Sequence, residues 1–141
     1  MLKQELAPRG VGIPVLQGGE EVKGEAKTFT LPWPPTGLSP NARSHWRTTA
    51  KLKKQYRAAC AWTAKEQGGA RIEATRLHLN ITFVPPNRRA RDLDNLLASM
   101  KSGLDGLADV LGVDDSNWTL TIAKTDGVGG MVKVVVSEVR P

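Results

Sequence analysis

Hydrophobic and polar positions alternate in two rhythms along this chain. Thr28-Phe29-Thr30-Leu31 has a period of two and is closed by Pro32, Pro34 and Pro35, so it predicts a short strand. Thr36 to Ser44 is rich in turn formers, including Gly37, Pro40 and Asn41. Leu52, Tyr56, Ala59, Cys60 and Thr63 recur at helical spacing. They predict a helix capped by Thr48 or Thr49, running to Gln67 and stopped by Gly68-Gly69. Leu77, Leu79, Ile81 and Phe83 alternate with His78, Asn80 and Thr82, which predicts a half-buried strand. Leu93, Leu96, Leu97, Met100, Leu104, Leu107 and Leu111 predict one long helix ended by Gly112. Trp118, Leu120 and Ile122 alternate with threonines. Asp126-Gly127-Val128-Gly129-Gly130 reads as a turn, and Val132 to Val139 as a last strand, the two strands forming a hairpin.

The resulting order, strand–helix–strand–helix–strand–strand, predicts an α+β fold: a two-layer domain with a mixed β-sheet and two main helices. Residues 1–27 show no periodicity and are read as an N-terminal extension; residues 28–141 form the domain. The 141 residues suffice for one core. No apolar run reaches the roughly 20 residues of a membrane helix, and the first residues lack a secretory pattern. Cys60 is the only cysteine, which excludes an internal disulfide or a cysteine-built zinc site and fits a reducing, cytoplasmic setting.

Charge sharpens this picture. The net charge is +6, unevenly spread: residues 43–91 carry +10 and residues 92–126 carry −5. The basic block calls for a polyanionic partner. Lys51 and Lys54 lie off the packing face of their helix, and Arg88, Arg89 and Arg91 fill the loop after the second strand; all five are candidate DNA contacts. Trp46 lies among Arg43, His45 and Arg47, an arrangement that suits stacking on an unpaired base. Core or interface packing is the commoner role of tryptophan.

That basic loop runs into Asp92-Leu93-Asp94-Asn95, and a second acidic pair, Asp114-Asp115, follows the long helix. Side chains two apart face one way only on extended backbone, since a regular helix separates them by about 200°. A shared site therefore needs the Asp92–Asp94 step to precede the first helical turn. Aspartates here also serve as helix caps or turn residues. Three carboxylates are a sufficient oxygen set for Mg²⁺, with Mn²⁺ a possible substitute, and a metal beside phosphate-gripping arginines suits phosphodiester hydrolysis. Lys101 stands seven residues beyond Asp94, on nearly the same helix face, placed to stabilise developing charge or to remain a surface lysine.

These motifs resemble the RusA family of Holliday-junction resolvases, typical of phages and prophages. The resemblance runs from Thr28-Phe29-Thr30-Leu31-Pro32-Trp33-Pro34-Pro35 through Arg88-Arg89-Ala90-Arg91-Asp92-Leu93-Asp94-Asn95-Leu96. It continues in Lys101-Ser102-Gly103-Leu104-Asp105-Gly106-Leu107, Asp114-Asp115 and the terminal hairpin. It implies a homodimeric, Mg²⁺-dependent crossover junction endodeoxyribonuclease of DNA recombination and repair. Such an enzyme nicks four-way junction DNA symmetrically, without a membrane or a small-molecule cofactor. The family's metal-binding aspartates map onto Asp92, Asp94 and Asp115, with Asp114 the alternative to Asp115. The family's lysine spacing falls on Ala98, whereas the surrounding text aligns Lys101 after about three inserted residues. The rival readings are a non-catalytic basic DNA-binding module and a metal nuclease acting on other branched DNA.

Overall fold

The computed structural model describes residues 21–43 and 45–140; residues 1–20 of the predicted 1–27 extension lie outside the described residues, and 21–27 belong to a strand. The elements are β1 (Glu21–Pro32), α1 (Trp46–Glu66), β2 (Leu77–Val84), α2 (Leu93–Ser99), α3 (Lys101–Leu111), β3 (Trp118–Lys124) and β4 (Met131–Arg140). Single 3-10 turns occupy Thr36–Leu38 and Asp115–Asn117. The four strands form one mixed sheet in the order β1-β4-β2-β3. The α+β, two-layer reading is therefore correct, with three helices rather than two.

The sheet's inner face follows directly from the alternation. Phe29 of β1 lies beside Val134 of β4, which lies beside Ile81 of β2, which lies beside Ile122 of β3. Leu31, Val132 and Phe83 form the next row, and Phe29, Leu31, Ile81, Phe83, Val132 and Val134 are all essentially inaccessible. Against them pack Tyr56, Cys60 and Ala64 of α1 and Leu104, Leu107 and Leu111 of α3. Burial pushes the Cys60 thiol up to about 11, so it stays a neutral core side chain at physiological pH.

The structure overturns the predicted β3–β4 hairpin. β3 runs parallel to β2, and β4 is antiparallel to both β1 and β2, so β2 separates the last two strands. The connection between them crosses the end of β2. There the Thr125 amide donates to the Phe83 carbonyl at 3.0 Å, and the Gly129 and Gly130 amides donate to the Pro85 and Val84 carbonyls at 2.8 and 3.0 Å. Gly130 takes φ of 73°, a left-handed turn that glycine supplies without strain. A parallel β2–β3 pair needs a long crossover, which α2 and α3 provide. β1 also starts at Glu21, before the predicted Thr28, through backbone pairing with β4.

The long predicted helix is two. Met100, fully buried, is both the C-cap of α2 and the N-cap of α3. α3 is held tightly to α1 at two glycines: a Cβ on Gly103 would stand 2.5 Å from the Tyr56 ring, and one on Gly106 would stand 2.2 Å from the Arg57 carbonyl oxygen. Arg57 adds a forked pair with Asp109, both contacts 2.8 Å. Gly112 ends α3 at φ 74°, as the sequence predicts. No helix among the described residues is long and apolar enough to cross a membrane.

The outer face of the sheet carries many polar side chains, and His78 is buried there beside its cross-strand partner Ser137, at 8% and 7% exposure. Its Nδ1 lies 2.7 Å from Thr119 Oγ1 and its Nε2 3.2 Å from Thr121 Oγ1. Burial lowers its pKa below the usual 6.5. The unfolded chain then holds this proton at a higher pH than the folded one, so stability is lost as pH falls below about 6.5. The urea midpoint is expected to drop between pH 7.5 and pH 5.5, and to drop less in His78→Asn. Equal pH dependence in the two proteins would refute this assignment.

Candidate functional site: two clefts flanking the second helix

The loop between β2 and α2 is organised by Asn87 and Arg91. Asn87 Oδ1 accepts from the Arg89 amide at 3.1 Å and from the Arg91 guanidinium at 2.9 Å. Arg91 also donates to the Asn87 and Arg89 carbonyls, both at 3.1 Å, and its guanidinium lies 5.5 Å over the Trp33 ring. Trp33 in turn meets Phe83 of the core edge-on, with centroids 6.1 Å apart. Lys124 Nζ donates to the Arg91 carbonyl at 2.8 Å. Arg91 thus spends its donors within the loop and fixes its path, whereas Arg88 and Arg89 remain exposed.

Two depressions flank α2, and Ser99 lines both. The first, about 520 Å³, is bordered by Trp33, Asn41, Arg89, Arg91 and Asp92. The second, about 500 Å³, is bordered by Lys53, Asp94, Lys101, Ser102 and Asp105. Asp92 is the N-cap of α2 on extended backbone, with ψ of 137°, but its side chain makes no cap hydrogen bond. Asp94 is already within the first helical turn, where its Oδ1 accepts from the Asn95 amide at 3.0 Å. The helix therefore starts one residue too early for both carboxylates to face one point, and they line different depressions.

The break at Met100 places Lys101 at the start of α3. Its ammonium bonds Asp115 and lies 3.3 Å from Asp105, one helical turn on. The Asp115 carboxylate, with Asp105 behind it, raises the Lys101 pKa, so this group is a fixed cation rather than a base. Asp114 turns the other way: its Oδ2 accepts from the Ser116 hydroxyl and amide, which lowers its pKa. Of the acidic pair, Asp115 is the one that meets Lys101. The Ser102 hydroxyl oxygen, in a residue bordering the same cleft, is buried without a hydrogen-bond partner in the described structure.

The structure thus brings Asp94 and Lys101 to one cleft, bonds Lys101 to Asp115, which does not border that cleft, and leaves Asp92 across α2. Carboxylate oxygens suit a hard cation such as Mg²⁺. Among the described residues, however, no group of three or more His, Cys, Asp or Glu side chains is gathered closely enough to hold a metal ion. Lys51 and Lys54 are exposed on α1 and border neither depression. Sequence reasoning overlooked Lys53 and Asp105. The signals were present: Lys53 is seven residues before the buried Cys60, on its helix face, and Asp105 is four residues after Lys101, within ion-pair reach.

No family model matches the sequence. A protein of Xylella fastidiosa (strain Temecula1 / ATCC 700964), described as an uncharacterized protein, is 39% identical over 116 residues, covering 80% of this chain and 76% of its own length. The two chains belong to one family. A match of that length exceeds the 96 residues from 45 to 140 that hold the helices and the last three strands, so the family shares a domain rather than an isolated motif.

Proposed function

We propose that this protein is a divalent-metal-dependent endonuclease that resolves four-way DNA junctions, acting as a homodimer with one site per cut strand. The observation that carries the reading is the constellation around Lys101: a cation held by Asp115 and Asp105, in a cleft shared with Asp94, one helix away from an arginine loop that leads into Asp92. The RusA-like order of those same motifs in the sequence supports it.

In this reading Arg88 and Arg89 grip the DNA backbone, Lys54 extends the cationic surface, and Arg91 holds the loop rigid for them. The resemblance gives Mg²⁺ to Asp92, Asp94 and Asp115, which the structure holds apart, with Asp92 across α2; drawn together on bound DNA they would supply oxygen ligands, and the ion would polarise the scissile phosphate as a Lewis acid. Lys101, kept protonated, donates hydrogen bonds to oxygen that gains charge as the bond to phosphorus breaks. Lys53, across the cleft, places a second positive charge beside the phosphate. A C₂ dimer matches the near-two-fold symmetry of a junction and yields paired nicks. The separation of Asp92 from Asp94 favours the rival reading, a DNA-binding module without chemistry.

Incubation with a synthetic four-way junction separates the two. The nuclease reading predicts symmetric nicks in Mg²⁺, none in EDTA and none on linear duplex. Tight junction binding with no nicks in Mg²⁺ or Mn²⁺ would select the binding module, and equal cutting of flaps or forks would select a broader branched-DNA nuclease.

A further inference from the structure

Two of the four tryptophans do no core work. Trp33 and Trp118 pack against the core, but Trp46 and Trp62 are 68% and 65% exposed. Trp46 differs from Trp62 in its surroundings. The His45 ring stacks against it at an interplanar angle of 30°, with centroids 5.6 Å apart, and the Arg47 guanidinium carbon is 5.2 Å from its ring centre. Residues 26–65 contain eight lysines and arginines and no acidic residue. The first turn of α1 likewise lacks the acidic side chain that a helix start favours; its cap is His45 Nδ1, accepting from the Arg47 amide at 3.1 Å.

Position links this residue to the cleft. Trp46 and Lys53 are seven residues apart on α1, hence about 20° apart around the axis and about 10 Å along it. Lys53 borders the cleft of Asp94 and Lys101. Trp62, sixteen residues from Trp46, lies about 160° away on the far side of the helix. An exposed indole with cations beside it, about 10 Å along the helix axis from a lysine that borders the cleft, matches the spacing of roughly three stacked nucleotides along one strand.

We infer that Trp46, with His45 and Arg47, is a stacking site for an unpaired nucleobase of the strand whose phosphate occupies the Lys53–Lys101 cleft. The inference rests on the nucleic-acid reading above and adds to it the place where a base opened at the branch point is received. Stacking on the indole is indifferent to base identity, because every base presents a π-face. Arg47 contributes attraction to the backbone.

The test reads binding alone, in EDTA, by fluorescence anisotropy of a labelled oligothymidylate. A four-way junction with 2-aminopurine at the strand crossing reports base unstacking. Trp46→Ala is expected to weaken oligothymidylate binding by about 10- to 100-fold and to abolish the 2-aminopurine rise. Trp46→Phe is expected to keep most of the affinity, and Trp62→Ala, equally exposed, to bind like the parent. Thermal unfolding of each variant checks that the fold is intact, as expected for a residue outside the core. Parent-like binding by Trp46→Ala, an equal loss in Trp62→Ala, or a parent that does not bind the oligonucleotide would each overturn the inference. Stacking at Trp46 in a protein that never cuts a junction would remove the nuclease reading and leave this site standing. Cutting by a protein whose Trp46→Ala form binds normally would do the reverse.

Discussion

Asp94→Asn is expected to leave junction binding intact, or to tighten it, while reducing Mg²⁺-dependent cutting by on the order of 1000-fold. The fold has little reason to change. Among the described residues Asp94 hydrogen-bonds through Oδ1, which accepts from the Asn95 amide at 3.0 Å, and an asparagine side-chain oxygen can accept the same bond. What changes is charge. On the proposed reading, a cation worth several kcal/mol of transition-state stabilisation loses an anionic ligand, and each 1.36 kcal/mol is tenfold in rate. Removing a negative charge from a cleft that receives phosphate also lessens repulsion in the ground state. Binding by gel shift and cutting of the same junction, measured side by side, separate the two effects. Cutting at the parent rate would remove Asp94 from the site.

The second large effect is structural. Gly106→Ala is expected to destabilise the protein by about 2 kcal/mol, although alanine in a helix ordinarily gains about 1 kcal/mol over glycine. The added Cβ would stand 2.2 Å from the Arg57 carbonyl oxygen and 3.2 Å from the Ala61 amide nitrogen. These are backbone atoms of α1, so relief requires α3 to move away. That movement disturbs the Arg57–Asp109 fork and the cleft, whose walls include Lys53 on α1 and Lys101 on α3. Gly127→Ala is the control, since its Cβ would meet only the Thr125 hydroxyl at 3.7 Å. Urea unfolding of both variants tests the claim; Gly106→Ala as stable as the parent would contradict the close α1–α3 contact.

Legibility in the sequence followed burial. Where one face of an element is buried, its period appeared in the chain: the β2 alternation from Leu77 to Phe83 and the α1 positions Tyr56 and Cys60 are core in the structure. The break at Met100 did not show, because the leucine spacing runs on through Leu96, Met100, Leu104 and Leu107, all buried, while the helix starts anew. Periodicity records which side is apolar, not where a new helix begins. The hairpin error has a related origin. Strands adjacent in sequence usually pair, and nothing in residues 125–130 reveals that their amides bond the end of β2. Residues 21–22 and 26–27 pair through their backbone along an edge strand, with an irregularity between them, which imposes no apolar alternation on that stretch.

The candidate site was legible as chemistry and only partly as geometry. Lys101 was expected near the aspartates and does meet Asp115. Its partnership with Asp105 is an i,i+4 pair within α3, legible in the spacing but overlooked, whereas the parting of Asp92 from Asp94 depends on a helix start one residue earlier than a shared site requires. Arg91 illustrates the same limit. A run of arginines reads as a phosphate grip, yet this one is committed to Asn87, the Arg89 carbonyl and Trp33.

Manganese has an anomalous X-ray signal and takes the oxygen ligands that magnesium does, so diffraction from a crystal of the full chain with Mn²⁺ and an uncleaved junction tests the metal site itself. The account predicts a manganese peak ligated by carboxylate oxygens of Asp92, Asp94 and Asp115, with a junction phosphate in its shell. Bound DNA with no manganese among those three side chains, and Lys101 still bonded to Asp115, would contradict it.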